Sequence, residues 1–466
     1  MKSIKLIYLF AIVFLSNQIT FAQKNFSLYN MKSTQQALYV NPSFMPKGKI
    51  FVSVPGISML SFGATNSAFS FNDLFTKRAD DSLQINTANV ISNLKPLNFF
   101  STELNEEIVG FGIKLSDGYF SFSSTFKMQT NFAYPKDLIQ FAFEGNGKSY
   151  IGERASLDGI SISLNSYVEH AFGYTKEIND KLTVGARLKL ISGLANIKTD
   201  VNNLGIYTDP TSYAITIDGS AGIQSSNVLA LLGDSTTTAA EQKAIEQSAK
   251  SSLYNFANKG VGIDLGGTYH INEKLSVNAS IIDLGSISWK ANVKNYKTND
   301  INFTFDGIDL NEFLNDTTQK PLDRLSDTLQ KILNYEENTD KYATSLRTKI
   351  YLGANYNLTK NFNAGALIFN EFIGGKYRPG LSLSMNATVK NWLVATLNYS
   401  IYNGAFSNVG LGLSMRGGPI QFYIMTDNLL SFVNPLNTRN VHLCGGMCVF
   451  IKGKEKKVKD KETEGK

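Results

Sequence analysis

From Arg347 to Phe450 apolar residues recur at every second position through a succession of short segments. In one segment Leu381, Leu383, Met385, Ala387 and Val389 share a face, and Ser382, Ser384, Asn386 and Thr388 share the other. The next sets Leu393, Ala395, Leu397, Tyr399 and Ile401 opposite Thr396, Asn398 and Ser400. A third sets Val409, Leu411, Leu413 and Met415 against Asn408, Gly410, Gly412, Ser414 and Arg416. Successive side chains of a strand point to opposite faces, so this period describes strands with one apolar and one polar face. Strands of about ten residues in that pattern predict a transmembrane β-barrel, with the apolar face in lipid and the polar face in a wet lumen.

The connections fall into two classes. Short turns are marked by Ser116-Asp117, Asn179-Asp180, Asn272-Glu273, Thr359-Lys360-Asn361, Lys390-Asn391 and Gly417-Gly418. Longer connections lie between them. Outer-membrane barrels have short periplasmic turns and long external loops, so the short class is assigned to the periplasm. The chain then reads as 14 antiparallel strands. The first runs from about Lys49 to Phe62, the second and third form the hairpin around Ser116, and the last ends at Phe450. Three external insertions are expected, near residues 62–104, 194–259 and 286–346. The second contains a helical stretch at about Ala239 to Asn255, with a Glu246/Lys250 pair. The third contains a helix that starts at Pro321 and carries a stripe of Leu322, Leu325, Leu329 and Ile332.

Both ends of the chain stand apart from this pattern. Lys2 and Lys5, the apolar run Leu6 to Leu15 and Thr20-Phe21-Ala22 read as a secretory signal peptide over 1–22. Residues 23–47 then precede the first strand and are expected to enter the lumen as a small hatch. The barrel covers 48–451, and 452–466 form a tail of seven Lys against four acids. That tail supplies much of the formal charge of +6, and the other basic residues are scattered, which argues against a nucleic-acid partner. After the signal no apolar run approaches the 20 or so residues of a spanning helix. Cys444 and Cys448, four apart on one strand, lie about 13 Å from each other, beyond disulfide reach, and share the inward parity of His442 and Gly446.

Several short motifs resemble FadL-like barrels of the Bacteroidetes outer membrane. They are Asn41-Pro42-Ser43-Phe44 before the first strand, Pro55-Gly56, Gly185-Ala186-Arg187-Leu188-Lys189, and Ile282-Asp283-Leu284-Gly285 followed by Trp289. Within that group the chain is most similar to a large family with no assigned function, and shares its general style with the PorV and PorP/SprF barrels. The resemblance implies a 14-stranded barrel with an N-terminal segment in the lumen. It also implies passage of a hydrophobic ligand through an opening in the wall, as in FadL itself.

The polar parity of the strands nominates lumen residues: Lys114, Lys127, Arg187, Lys189, Asp264, His270, Lys349 and Arg416. Cations outnumber acids among them, which favours an anionic or carboxylate-bearing ligand, while mutual ion pairing is the structural alternative. Asn41, Pro42 and Phe44 are the hatch candidates. Asp283 breaks parity, since strict alternation aims it at lipid beside Ile281, and a bulge or loop cap there resolves the conflict. With Gly285 it is the candidate gate. No nucleophile, nucleotide-binding or zinc-protease motif occurs, so neither an enzyme nor a cofactor is expected. The leading function is passive uptake of a hydrophobic or amphipathic small molecule by a monomeric barrel in outer-membrane lipid. The rival is a platform for a secreted protein, lipoprotein or cell-wall component.

Overall fold

The computed structural model describes residues 25–451 except 47, 117, 229–242, 244–246, 248–255, 299, 306–334, 374, 391 and 403–404; of residues 376 and 405–407 only the backbone is described. The stretch read as a signal peptide, the stripe around Leu325, nearly all of the Ala239–Asn255 stretch and the Lys-rich tail lie outside the described residues.

Among the described residues the alternating segments pair into a closed antiparallel barrel of 14 strands. β1 is one strand in two pieces, Ile50–Ser53 and Leu60–Asn66. β2 (Leu97–Lys114), β3 (Gly118–Pro135), β4 (Ser161–Glu177) and β5 (Leu182–Thr208) follow. Next come β6 (Asn258–His270), β7 (Leu275–Trp289), β8 (Lys349–Asn357), β9 (Phe362–Ile373) and β10 (Lys376–Val389). β11 (Leu393–Tyr402), β12 (Ala405–Gly417), β13 (Ile420–Thr426) and β14 (Asn440–Ile451) complete the wall. Each strand pairs with the next, and β14 returns to both pieces of β1, with Ile451 opposite Ile50 and Leu443 opposite Phe62. Closure leaves no unpaired edge. The alternation of β10 is realised directly: Leu383 and Met385 are 53% and 56% exposed on the outer wall, whereas Ser382 and Ser384 are buried.

Four expectations about boundaries need correction. The first strand does not run unbroken to Phe62, because Pro55 and Gly56 interrupt it. Proline offers no N–H to a ladder, and Gly56 takes the left-handed region at φ 75°. The insertion placed at 62–104 is residues 67–96, holding the short helices Phe71–Leu74 and Thr87–Asn93. Among the described residues the insertion placed at 194–259 is largely strand, since β5 continues to Thr208 and folds back through Ile215–Ser226. The one placed at 286–346 begins only after Trp289. Its strands Val293–Thr298, Ile301–Phe305 and Tyr335–Asn338 join the β5 ribbon in a sheet beyond the barrel. A helix at Lys136–Glu144, between β3 and β4, went unseen in the pattern.

The barrel core is formed by residues 25–46. Phe26, Leu28, Tyr29, Met31, Val40 and Phe44 are buried against Tyr351, Phe369, Tyr402, Tyr423 and Met425 of the strands. A barrel of this width filled only by its own short polar side chains would hold water. Here one aromatic stopper replaces that water and supplies the apolar contact that drives packing.

Candidate functional site: the closed lumen

Read along β5, the inward positions are Gly185, Arg187, Lys189, Ile191 and Gly193, and they traverse the closed part of the lumen in order. At Gly185 the wall is backbone alone. A Cβ there would strike the Pro42 carbonyl, and one at Gly266 on β6 would strike Asn41 and Pro42. The segment is fastened at this level by Thr175 Oγ1, which donates to the Pro42 carbonyl (2.6 Å), by Ser280 Oγ to the Val40 carbonyl (2.6 Å) and by Ser43 Oγ against Thr268 Oγ1 (2.7 Å). Phe44 packs edge-on against Tyr29 at 5.1 Å between ring centroids.

The next two positions carry charge. Arg187 Nη1 is 3.0 Å from Asp264 Oδ2, and Lys189 Nζ is 2.7 Å from Asp264 Oδ1 and also meets Asp283. Lys127 reaches Glu169 at 2.8 Å and Asp283 at 3.4 Å. Lys349 reaches Glu103 at 2.8 Å. Asp283 is turned inward by a bulge opposite Asp264, and its backbone takes the left-handed region at φ 58°. Ile282 and Asp283 are therefore both buried, and Asp283 N–H donates to Asp264 Oδ1 at 2.8 Å. Gly285 follows where the chain runs so close to Val261 and Gly262 that a side chain would collide with backbone. Above the charges lies a second apolar layer of Tyr167, Ile191, Ile287, Trp289 and Leu346.

Four cations and four carboxylates meet in this layer, so it carries no excess of positive charge. The expected preference for an anion does not arise here, because parity reasoning omitted the acids. Glu103 was hidden by a bulge in β2 between Glu107 and Val109 that reverses the alternation above it. Glu169 was legible, since it shares the face of Ala171, Gly173 and Thr175, but it was passed over. Glu107, just turnward, accepts from Tyr39 Oη (2.7 Å) and Gln36 Nε2 (3.2 Å). Paired and hydrogen-bonded, such charges tolerate burial; stripped of partners they do not. Lys127, Arg187, Lys189, Asp264 and Lys349 thus come together. Lys114 and His270 do not: both are exposed at the short-turn end. Arg416 is half-buried at that same end, over the Phe450 ring.

Between the stopper and the charges remains a cavity of about 30 Å³, lined among others by Tyr39, Met59, Glu103, Lys127, Asp283 and Tyr351. That is room for about one water. The wall is least regular at the break in β1. There the Ser58 carbonyl turns inward and accepts from Tyr423 Oη (2.7 Å) and Gln36 Nε2 (3.3 Å). Beside it the β2 bulge leaves Ile108 and Val109 both facing outward.

Residues 42–427 match the model of a family described as "Family of unknown function (DUF5723)". No curated protein matches the chain. Solved structures similar to it include the Ralstonia pickettii toluene transporter TbuX, at 8% identity and TM-score 0.42, covering 93% of this chain and all of that one. The Pseudomonas putida toluene transporter TodX gives 10% identity and TM-score 0.37, covering 89% and 91%. A Pseudomonas aeruginosa FadL homologue gives 8% identity and TM-score 0.37, covering 90% and 91%.

Proposed function

We propose that this chain, which belongs to the family of unknown function DUF5723, is a passive outer-membrane channel for a hydrophobic or amphipathic small molecule, with residues 25–46 as its movable stopper. The observation that carries this reading is the manner of closure. The lumen is filled by an N-terminal segment held through hydrogen bonds and aromatic packing, and apart from its continuation into β1 no cross-link among the described residues ties it to the wall. Withdrawing it would open a hollow already lined by Tyr351, Phe369, Tyr402 and Tyr423. Set among inward polar side chains such as Ser384, Asn398 and Glu371, such a lining suits a solute with both apolar and polar parts. The break in β1 between Ser53 and Leu60 supplies a place where the wall is not laced by a continuous ladder, and we assign the lateral exit to it. The external sheet built on β5 gives the outer mouth its rim.

The test is deletion of Gln23 to Met45 behind an intact signal peptide, with conductance and liposome uptake of a neutral apolar dye measured on the refolded barrel. A rise in both is expected. Unchanged permeability in a barrel that still shows heat-modifiable mobility would overturn the stopper.

A further inference from the structure

The two irregular places in this part of the wall meet at one side chain of the stopper. Gln36 is fully buried, and its Nε2 donates to the Ser58 carbonyl in the β1 break at 3.3 Å and to Glu107 Oε2 at 3.2 Å. Glu107 begins the β2 bulge, where the register shifts between Glu107 and Val109. A primary amide nitrogen carries two hydrogens, so both donors of Gln36 are committed, one to each irregularity. Tyr39, three residues on, donates to the same Glu107 oxygen at 2.7 Å.

Apart from this grip the break is lightly held. Residues 54–59 cross from one piece of β1 to the other outside the ladder. Among the described residues they are tied to the flanking strands by the Met447 N–H to the Ile57 carbonyl (2.9 Å), by Ser58 Oγ to the Met447 carbonyl (2.9 Å) and by the Glu107 N–H to the Met59 carbonyl (2.9 Å). On the lumen side the Ser58 carbonyl passes over Gly446 of β14, where a Cβ would strike it. Glu103, Glu169, Asp264 and Asp283 each have a wall cation within 3.0 Å. The enclosed Glu107 carboxyl instead takes both of its hydrogen bonds from the stopper. A buried polar group that loses its partners must be met by something else, and at this wall that is water.

We propose that Gln36 couples the stopper to the β1 break. While the segment is seated, the Gln36 amide clamps Ser58 and Glu107 together. Withdrawal strips both, brings water to the bulge and loosens residues 54–59. Gln36 is thus a positioning residue that makes seating of the stopper and closure of the wall one equilibrium. The coupling deepens the proposed lateral exit and rests on that reading for its use.

Coupling is reciprocal: the factor that the stopper imposes on the break is the factor that the break imposes on the stopper. Hydrogen exchange of the full-length protein in nanodiscs reads both directions. Gln36→Leu removes the clamp from the stopper side. Amides of residues 54–60 are then expected to exchange about tenfold faster, while residues 26–31, anchored at Asp427, stay protected. Gly446→Ala acts from the wall side, where its Cβ meets the Ser58 carbonyl and the Tyr423 hydroxyl. Amides of residues 34–41 should then gain about tenfold. Tyr39→Phe removes only the second bond to Glu107 and should give a several-fold gain at residues 105–110, which keeps the coupling testable if Gln36→Leu does not fold. A response from one side only, or unchanged exchange at 54–60 in a Gln36→Leu barrel with normal heat-modifiable mobility, would overturn the coupling. So would unchanged exchange at 105–110 in Tyr39→Phe. Faster exchange on both sides with unchanged liposome uptake of the apolar dye would uphold the coupling and remove the lateral exit.

Discussion

The carboxylate of Asp427 accepts the backbone N–H of Ser27 at 2.7 Å, and it also accepts that of Phe26 at 3.0 Å. One side chain just past β13 thus holds the first turn of the luminal segment, where two helix-start N–H groups would otherwise be unmet. Hydrogen bonds to a charged group contribute about 1.5–3 kcal/mol each. Asp427→Ala should therefore release the segment's leading end and raise its open population on the order of a hundredfold. Single-channel recording is the check, with opening frequency rising while the barrel's heat-modifiable mobility is unchanged.

Gly185 offers a second way to unseat the segment from the opposite side. A valine there would occupy the place of the Pro42 carbonyl, and the strand cannot yield because Arg187 and Lys189 fix it two and four residues on. Gly185→Val should displace residues 41–43 and leave the ladder to β6 intact. Limited proteolysis should then cut near Asn41, which is fully buried in the wild type. Resistance equal to wild type would show that the wall moves instead.

In the charge layer the expectation concerns coupling. Lys189→Met leaves Asp264 and Asp283 facing each other without their shared cation, at a cost of roughly 3–5 kcal/mol. Adding Asp283→Leu should recover part of that loss, because the pair is then removed together. Urea-induced unfolding in lipid vesicles gives both values, and strict additivity would show that the contacts are not energetically linked.

The external end yields a pH expectation. Asp73, inside the helix Phe71–Leu74, closes a capping box with the N-cap Ser70 and lies 3.1 Å from Arg439, joining the insertion after β1 to the loop before β14. Partial burial works to raise its pKa, but hydrogen bonds from Ser70 and Arg439 outweigh that and hold it below the ordinary carboxylate value. A depressed carboxyl contributes stability above its unfolded pKa of about 4 and loses it as pH falls through the folded value. The two loops should therefore separate below about pH 4 in the wild type, by less than about 1 kcal/mol for so exposed a pair. In Asp73→Asn they should already be loosened at neutral pH, with no further acid response. Protease sensitivity of residues 67–96 across pH 3–7 separates these cases.

The strand ladder was legible because lipid and lumen impose opposite demands on alternate positions, as Leu381 to Asn386 of β10 show by alternating exposed and buried. The count of 14 followed from turn chemistry at Asn179-Asp180, Asn272-Glu273 and Gly417-Gly418, where the structure does place hairpins. Alternation failed wherever one residue is inserted. Ile108 reverses the reading of β2 and hides Glu103, and the Ile282-Asp283 bulge puts two neighbours on the same side. A parity argument has no means of locating such an insertion unless a charge lands on the wrong face, as Asp283 does. The partners of the stopper were illegible for another reason. Asp427 and Ser27 are 400 residues apart, and nothing local to either announces the other.

The cavity left between stopper and charges holds about one water. For the channel proposed above this means that the filled barrel should add little leak to a membrane: the intact protein in a planar bilayer is expected to conduct close to the bare bilayer, however many copies are inserted.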